Sequence, residues 1–82
     1  MLLKQQINIL RCIGTYQPIS QINISKKIAL LPKWVSLKVR ELESMGLLQR
    51  VDSSRRGKFY ILTENGYKVN LLLEQIELLT VK

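Results

Sequence analysis

At Gly46 the hydrophobic rhythm of this 82-residue chain changes, and that change narrows what it can fold into. Before it, Val35, Val39, Leu42 and Met45 recur at helical spacing on a segment that opens with Pro32. Pro32 suits the first helical position, where its missing N–H would be unpaired in any case, and Gly46 suits the position just past the end. After it, residues 47–51 read as a strand, 52–58 as a loop of turn formers and charge, and 59–62 as the return strand. Thr63 then caps a last helix over 64–81. These elements imply a mainly helical α+β domain with a two-stranded ribbon set among its helices.

Two more helices precede this unit. Leu3, Ile7, Leu10 and Gly14 are helically spaced, Leu2, Ile9 and Ile13 widen the same face, and Lys4, Asn8 and Arg11 lie opposite. The first helix is expected from Leu2 to about Ile13, with Gly14 as its stop. Residues 15–18 form a turn punctuated by Pro18, Ile19 adds a very short strand, and Ser20 caps a helix over 21–30 with Ile22, Ile24 and Ile28 as its apolar positions. The order is helix, helix, turn, helix, hairpin, helix. It reads as one domain over 1–82, without repeats, low-complexity tracts or linkers.

Charge is unevenly placed on this plan. The chain carries a net +7. Between Lys26 and Lys58 there are nine Lys/Arg and three acids, a net +6, which leaves +1 for the rest. Charge concentrated on two helices and a hairpin points to a polyanion, either nucleic acid or an anionic membrane surface, and its placement favours nucleic acid. Other classes lose ground. With no His and one Cys, an intrachain disulfide is impossible and a zinc site is not expected. The commonest general base is missing, there is no Gly-rich phosphate loop, and Glu41 and Glu43 are two apart on one helix and do not face each other. An enzyme is not expected, nor a cofactor or metal. Lys4, Gln5, Gln6, Asn8 and Arg11 break any signal-peptide core, and no apolar run nears the roughly 18 residues of a membrane span. The single Cys suits a reducing compartment, so a soluble cytoplasmic protein without membrane contact is expected.

The stretch 24–50 resembles the recognition half of the MarR- and PadR-type winged-helix regulators. Their pattern is Ser-Pro-x-x-Val-Ser-x-x-Leu-Arg-x-Leu-Glu-x-x-Gly-Leu-Ile, and Pro32, Val35, Ser36, Val39, Arg40, Leu42, Glu43, Gly46, Leu47 and Leu48 fall in register with it. Leu62-Thr63-Glu64-Asn65-Gly66 is similar to the Leu-Thr-x-x-Gly that ends their wing. The likeness spans about residues 18–70. It implies a winged helix-turn-helix fold: a three-helix core, a β-hairpin wing and a C-terminal dimerisation helix. It also implies a sequence-specific DNA-binding transcriptional regulator. The chain is shorter than full MarR proteins, so no small-molecule effector is expected. In its compactness it is similar to the miniature winged-helix regulators of hyperthermophilic archaea and their viruses.

Given that plan, the helix 32–45 enters the major groove and the loop 52–58 meets the minor groove or backbone. Lys33, Ser36, Leu37 and Arg40 form its outer face. Arg40 can hold guanine O6 and N7 with two hydrogen bonds, Leu37 can meet a thymine methyl, and Ser36 can donate to a base or phosphate. Trp34 either packs on the DNA backbone or covers a helix junction. Lys38, on the core flank, snorkels to a phosphate. Arg55, Arg56 and Lys58 fall at the wing tip, suited to a narrow, electronegative minor groove. Lys26 and Lys27 are expected to touch phosphates.

The last helix is apolar on two sides. Val69, Leu72, Leu73, Ile76 and Leu79 make one stripe; Tyr67, Leu71, Leu78 and Val81 make the other. Such a helix needs two partners, its own core and, by expectation, the same helix of a second copy. Which stripe faces the copy is open. Cys12, at the edge of an apolar face, is either a small buried hydrophobe or a bridge between copies. The rival to a DNA-binding homodimer is a winged-helix protein–protein interaction module in a larger assembly.

Overall fold

The computed structural model describes residues 2–53 and 57–80. Its elements run α1 (Lys4–Tyr16), β1 (Ile19–Ser20), α2 (Gln21–Ile28), α3 (Pro32–Ser44), β2 (Leu48–Ser53), β3 (Gly57–Leu62) and α4 (Glu64–Thr80). The strands form an antiparallel sheet in the order β1-β3-β2. Four helices and this small sheet are the mainly helical α+β winged helix-turn-helix expected.

The core forms where the helical stripes meet one face of the sheet. Ile9, Leu10 and Ile13 of α1, Ile24 of α2, and Val35, Val39 and Leu42 of α3 are fully buried. Ile19, Leu48, Tyr60 and Leu62 close the cluster from the sheet, with Leu47 beside them. Burying each such side chain contributes about 1.5–3 kcal/mol. The pairs Leu48↔Leu62 and Arg50↔Tyr60 share the core-facing side of the hairpin, and Asp52↔Lys58 continues that side outward. The base of the ribbon is therefore anchored in the core, and the Asp52↔Lys58 pair lies farther out along it.

Local signals set the ends of most elements. Ser20 Oγ accepts from the backbone N–H of Asn23, so Ser20 is the cap of α2. Pro32 occupies the first turn of α3, and Gly46 leaves that helix at φ +77°. Thr63 joins two elements: its Oγ1 accepts from Gly66 N–H at 3.0 Å and donates to the Gly46 carbonyl at 2.6 Å.

Several boundaries differ from the sequence reading. Gly14 does not stop α1, which continues to Tyr16; a Cβ at Gly14 would lie 2.5 Å from Asn70 Nδ2, so this glycine lets α4 approach α1. Leu2 precedes α1 rather than opening it, and α2 ends at Ile28, where Ala29 turns left-handed at φ 56°. Met45 caps α3 with an exposed side chain and does not extend the Val35–Leu42 stripe inward. The strands are longer than expected: Asp52 and Ser53 belong to β2 and Gly57 and Lys58 to β3.

Candidate nucleic-acid interface

On α3 the core residues Val35, Val39 and Leu42 fix which side chains point outward, because each residue turns the helix by about 100°. Ser36, Arg40 and Glu43 fall on the flank beside the hairpin and line an open cleft of about 570 Å³. Its opposite wall is the ribbon, with Arg50 and Lys58, and its floor is the start of α2, with Gln21 and Ile22, and Tyr60. Gln21 Nε2 donates to Tyr60 Oη at 2.9 Å, which ties the first turn of α2 to β3. Three cations and a helix N-terminus thus converge on one groove, between the recognition-type helix and the wing.

Lys33 and Leu37 lie on the outermost face of α3, away from the core. Leu37 is 43% exposed, an apolar side chain held out among polar ones. Trp34 is equally exposed, with the Lys33 ammonium 5.2 Å from its ring centroid.

Lys38 lies on the flank away from the cleft. Its side chain is 13% exposed and its ammonium sits 3.3 Å from Glu41 Oε1. The same oxygen accepts from Gln6 Nε2 at 2.9 Å, and Gln6 Oε1 in turn accepts the Leu3 N–H that opens α1. The Gln6 hydrogen bond, helped by Lys38, holds the Glu41 carboxyl below its ordinary range against the opposing effect of burial. This network fastens α3 to the start of α1, and it occupies the lysine that the sequence reading assigned to a phosphate.

On α2, Lys26 is exposed, while Lys27 lies over the Tyr16 ring at 4.0 Å, on the α1 side and not at the cleft. Arg55 and Arg56 lie outside the described residues. Lys58 pairs across the ribbon with Asp52, and Arg50 Nε lies 3.8 Å from the same aspartate.

Arg50, Gln21, Ile22 and Glu43 escaped the sequence reading as site residues. A signal existed for Arg50: it alternates with Leu48 on the strand, so it shares the core-facing side and points into the groove once the core side ends. Nothing in the sequence marked the others, whose placement depends on how α2 and α3 cross.

On α4 the stripe of Val69, Leu72, Leu73, Ile76 and Leu79 divides. Val69 and Leu73 pack against the core, while Leu72, Ile76 and Leu79 are exposed, Leu79 at 81%. Tyr67, Leu71 and Leu78 are exposed on the other side, and Val81 lies outside the described residues. The side facing α1 carries Asn70 and Glu77, the latter 3.0 Å from Arg11 Nη2. Cys12 is buried, and burial pushes its thiol pKa up, with Lys27 pulling weakly the other way. Among the described residues no cluster of three or more His, Cys, Asp and Glu is placed to hold a metal, and no helix is long and apolar enough to cross a membrane.

Comparison with known proteins places this arrangement. The MarR family model matches residues 2–57, more than half the chain and everything from α1 to the start of β3. The chain belongs to the MarR family. MarR-family folds recur among solved structures. Streptococcus pneumoniae FabT in complex with DNA superposes with a TM-score of 0.87 at 20% identity, over 93% of this chain and 55% of that one. The S. aureus MepR–DNA complex gives 0.84 at 25% identity, over 92% and 64%. A Listeria innocua protein of unknown function gives 0.85 at 29% identity, over 89% and 51%. This MarR-family chain therefore spans little more than half the length of the solved structures it matches. No curated protein matches the sequence.

Proposed function

We propose that this chain is the DNA-binding unit of a transcriptional regulator, acting without catalysis or cofactor. The observation that carries this reading is the cleft between α3 and the wing. Arg40, Arg50 and Lys58 face it together, and the N-terminus of α2 adds its dipole. Two of the similar MarR-family structures, FabT and MepR, are complexes with DNA, which supports the same partner here. In this reading α3 lies in the major groove. Arg40 holds a guanine edge, Leu37 meets a thymine methyl, Ser36 donates nearby, and Lys33 and Trp34 meet the backbone beside them. Arg50 and Lys58 take the strand that runs between α3 and the ribbon, Arg55 and Arg56 reach the minor groove, and Lys26 and Lys27 neutralise flanking phosphates.

Two copies are proposed to pair through α4. Leu72, Ile76 and Leu79 form one exposed apolar stripe and Tyr67, Leu71 and Leu78 another, and contiguous exposed apolar side chains of this kind mark interaction surfaces. A two-fold pair would set two recognition helices on successive major grooves, about 34 Å apart. Such a protein works inside the cell, where its DNA is.

Selection from random duplex DNA, read by sequencing, tests the proposal. A palindromic motif with half-sites about one helical turn apart, bound with an affinity that falls steeply with salt, is the expected result. Recovery of no motif, together with salt-independent binding, would overturn it.

A further inference from the structure

The cleft holds one group at odds with a polyanion. Ser36, Arg40 and Glu43 are spaced four and three apart, so one flank of α3 presents them all to the groove. Glu43 is half-buried there, opposite Arg50 and Lys58. Four other acids are spoken for: Glu41 by Lys38, Asp52 by Arg50, Glu64 by Lys68 and Glu77 by Arg11, each within 4.0 Å. Glu43 forms no ion pair among the described residues, although three cations line the same groove. Among the described residues its side chain makes no hydrogen bond either. The bond made at this position is from the backbone, where the Glu43 carbonyl accepts from Gly46 N–H at 2.9 Å.

From this placement we infer that Glu43 limits the affinity of the cleft for nucleic-acid backbone. The inference rests on the DNA-binding reading given above. A phosphate drawn in by Arg50, Lys58 and the α2 N-terminus must approach a carboxylate that no counter-charge among the described residues pairs with. Like charges brought together in a partly desolvated groove oppose each other more strongly than in open water. The repulsion ignores base identity, because it acts on the backbone. It therefore lowers binding to every duplex, and it leaves the base contacts of Arg40 and Leu37 to decide where the protein stays. Glu43 is an affinity-setting residue, placed by the same flank that places Arg40.

The test is Glu43→Gln, which keeps the shape and removes the charge, with Glu74→Gln on α4 as a charge-matched control away from the cleft. Binding of a labelled random-sequence duplex is measured by fluorescence anisotropy in low and in moderate salt, beside thermal melting of each protein. Glu43→Gln is expected to tighten binding on the order of fivefold in low salt. The gain should shrink as salt rises, and the slope of log K against log salt should steepen. A selected specific duplex should gain by the same factor, and Glu74→Gln should gain much less. Should Glu43→Gln melt early, Glu43→Ala provides the same comparison. Unchanged or weaker binding of random duplex by the variant overturns the inference. Loss confined to the specific duplex overturns it too, since that is the behaviour of a cytosine-reading carboxylate. If the unaltered protein binds no duplex in low salt, the DNA-binding reading falls, and the inference with it; if it binds and the variants match it, only the role of Glu43 falls.

Discussion

Gly66 lies so close to the Leu47 carbonyl that a Cβ placed on it would be 1.9 Å from that oxygen. The contact sets the first turn of α4 against the turn that joins α3 to β2, and Thr63 reinforces it by bonding Gly46 on one side and Gly66 on the other. Neither partner is a flexible side chain, so the backbone itself would have to shift. Gly66→Ala is therefore expected to destabilise the fold by about 3 kcal/mol or more, well beyond a typical substitution. Gly14→Ala is the informative contrast. Its closest neighbour is the end of the Asn70 side chain, which can swing away, so a loss of about 1 kcal/mol is expected. Urea unfolding of both variants checks the order.

The Gln6–Glu41–Lys38 network predicts a pH dependence. The Glu41 carboxyl is held below its ordinary range, first by the Gln6 hydrogen bond and then by Lys38. A carboxylate whose pKa is lowered by folding stabilises the folded state above its unfolded pKa, and that stabilisation is lost as pH falls through the folded pKa. Glu41→Gln, which keeps an acceptor oxygen and removes the charge, should lower the urea midpoint at pH 7. The difference should close as the pH is taken below the usual carboxylate range. A gap that widened in acid would contradict the assignment.

How much of this was legible beforehand follows from the range of each interaction. Ser20, Pro32 and Thr63 act within a few residues, so their caps and starts could be read directly. Val35, Val39 and Leu42 encode their own burial through period. Gly14 could not be read, because the reason for it lies across the fold at Asn70. A glycine at the end of a periodic run looks the same whether it stops a helix or admits a neighbour. Met45 continued the stripe by spacing, yet the helix stops before it, so spacing lost its meaning there. Lys38 lies on the core flank as expected, but its ion pair was not legible, because its partner Glu41 is itself fixed by Gln6, thirty-five residues away in sequence. Arg40 lines the cleft from the outer side of α3 and Lys58 lines it from β3, not from the loop where it was expected, whereas Arg50 was not singled out although its alternation with Leu48 already placed it.

That placement separates two kinds of contact. Arg40→Ala should cost about 1–3 kcal/mol on a selected site and relax preference at the base pair it reads. Arg50→Ala should weaken selected and random duplexes alike and reduce the salt slope by about 1, the signature of one lost phosphate contact. Titrations of both duplexes at several salt concentrations distinguish the two patterns.

Cys12 is expected to be inert in the folded chain. Burial raises its thiol pKa, so little thiolate is present near neutral pH, and reagent access is blocked as well. Alkylation should be at least about tenfold slower in the native protein than in guanidinium, and oxidation should yield no cross-linked pair of native chains. Rapid native labelling would show that α1 opens locally around this residue.

The two sides of α4 make opposite predictions. Val69 and Leu73 pack on the core, so Leu73→Ala should lower stability by about 1–3 kcal/mol, less than a fully buried leucine would. Leu72 and Leu79 are exposed in the single chain, so a charge there costs the monomer little. If α4 pairs two copies through this stripe, Leu72→Glu or Leu79→Glu buries an unpaired carboxylate in the contact, which is strongly unfavourable. Either variant should then sediment as a folded monomer with an unchanged circular dichroism spectrum, while Leu73→Ala remains paired up to its melting point. Tyr67 and Leu78, on the opposite side, supply the comparison that picks the face: whichever pair of substitutions dissociates the dimer marks the stripe in contact. Binding to a two-half-site duplex should fall with dissociation, because each monomer then engages its half-site alone and the gain from tethering the two disappears.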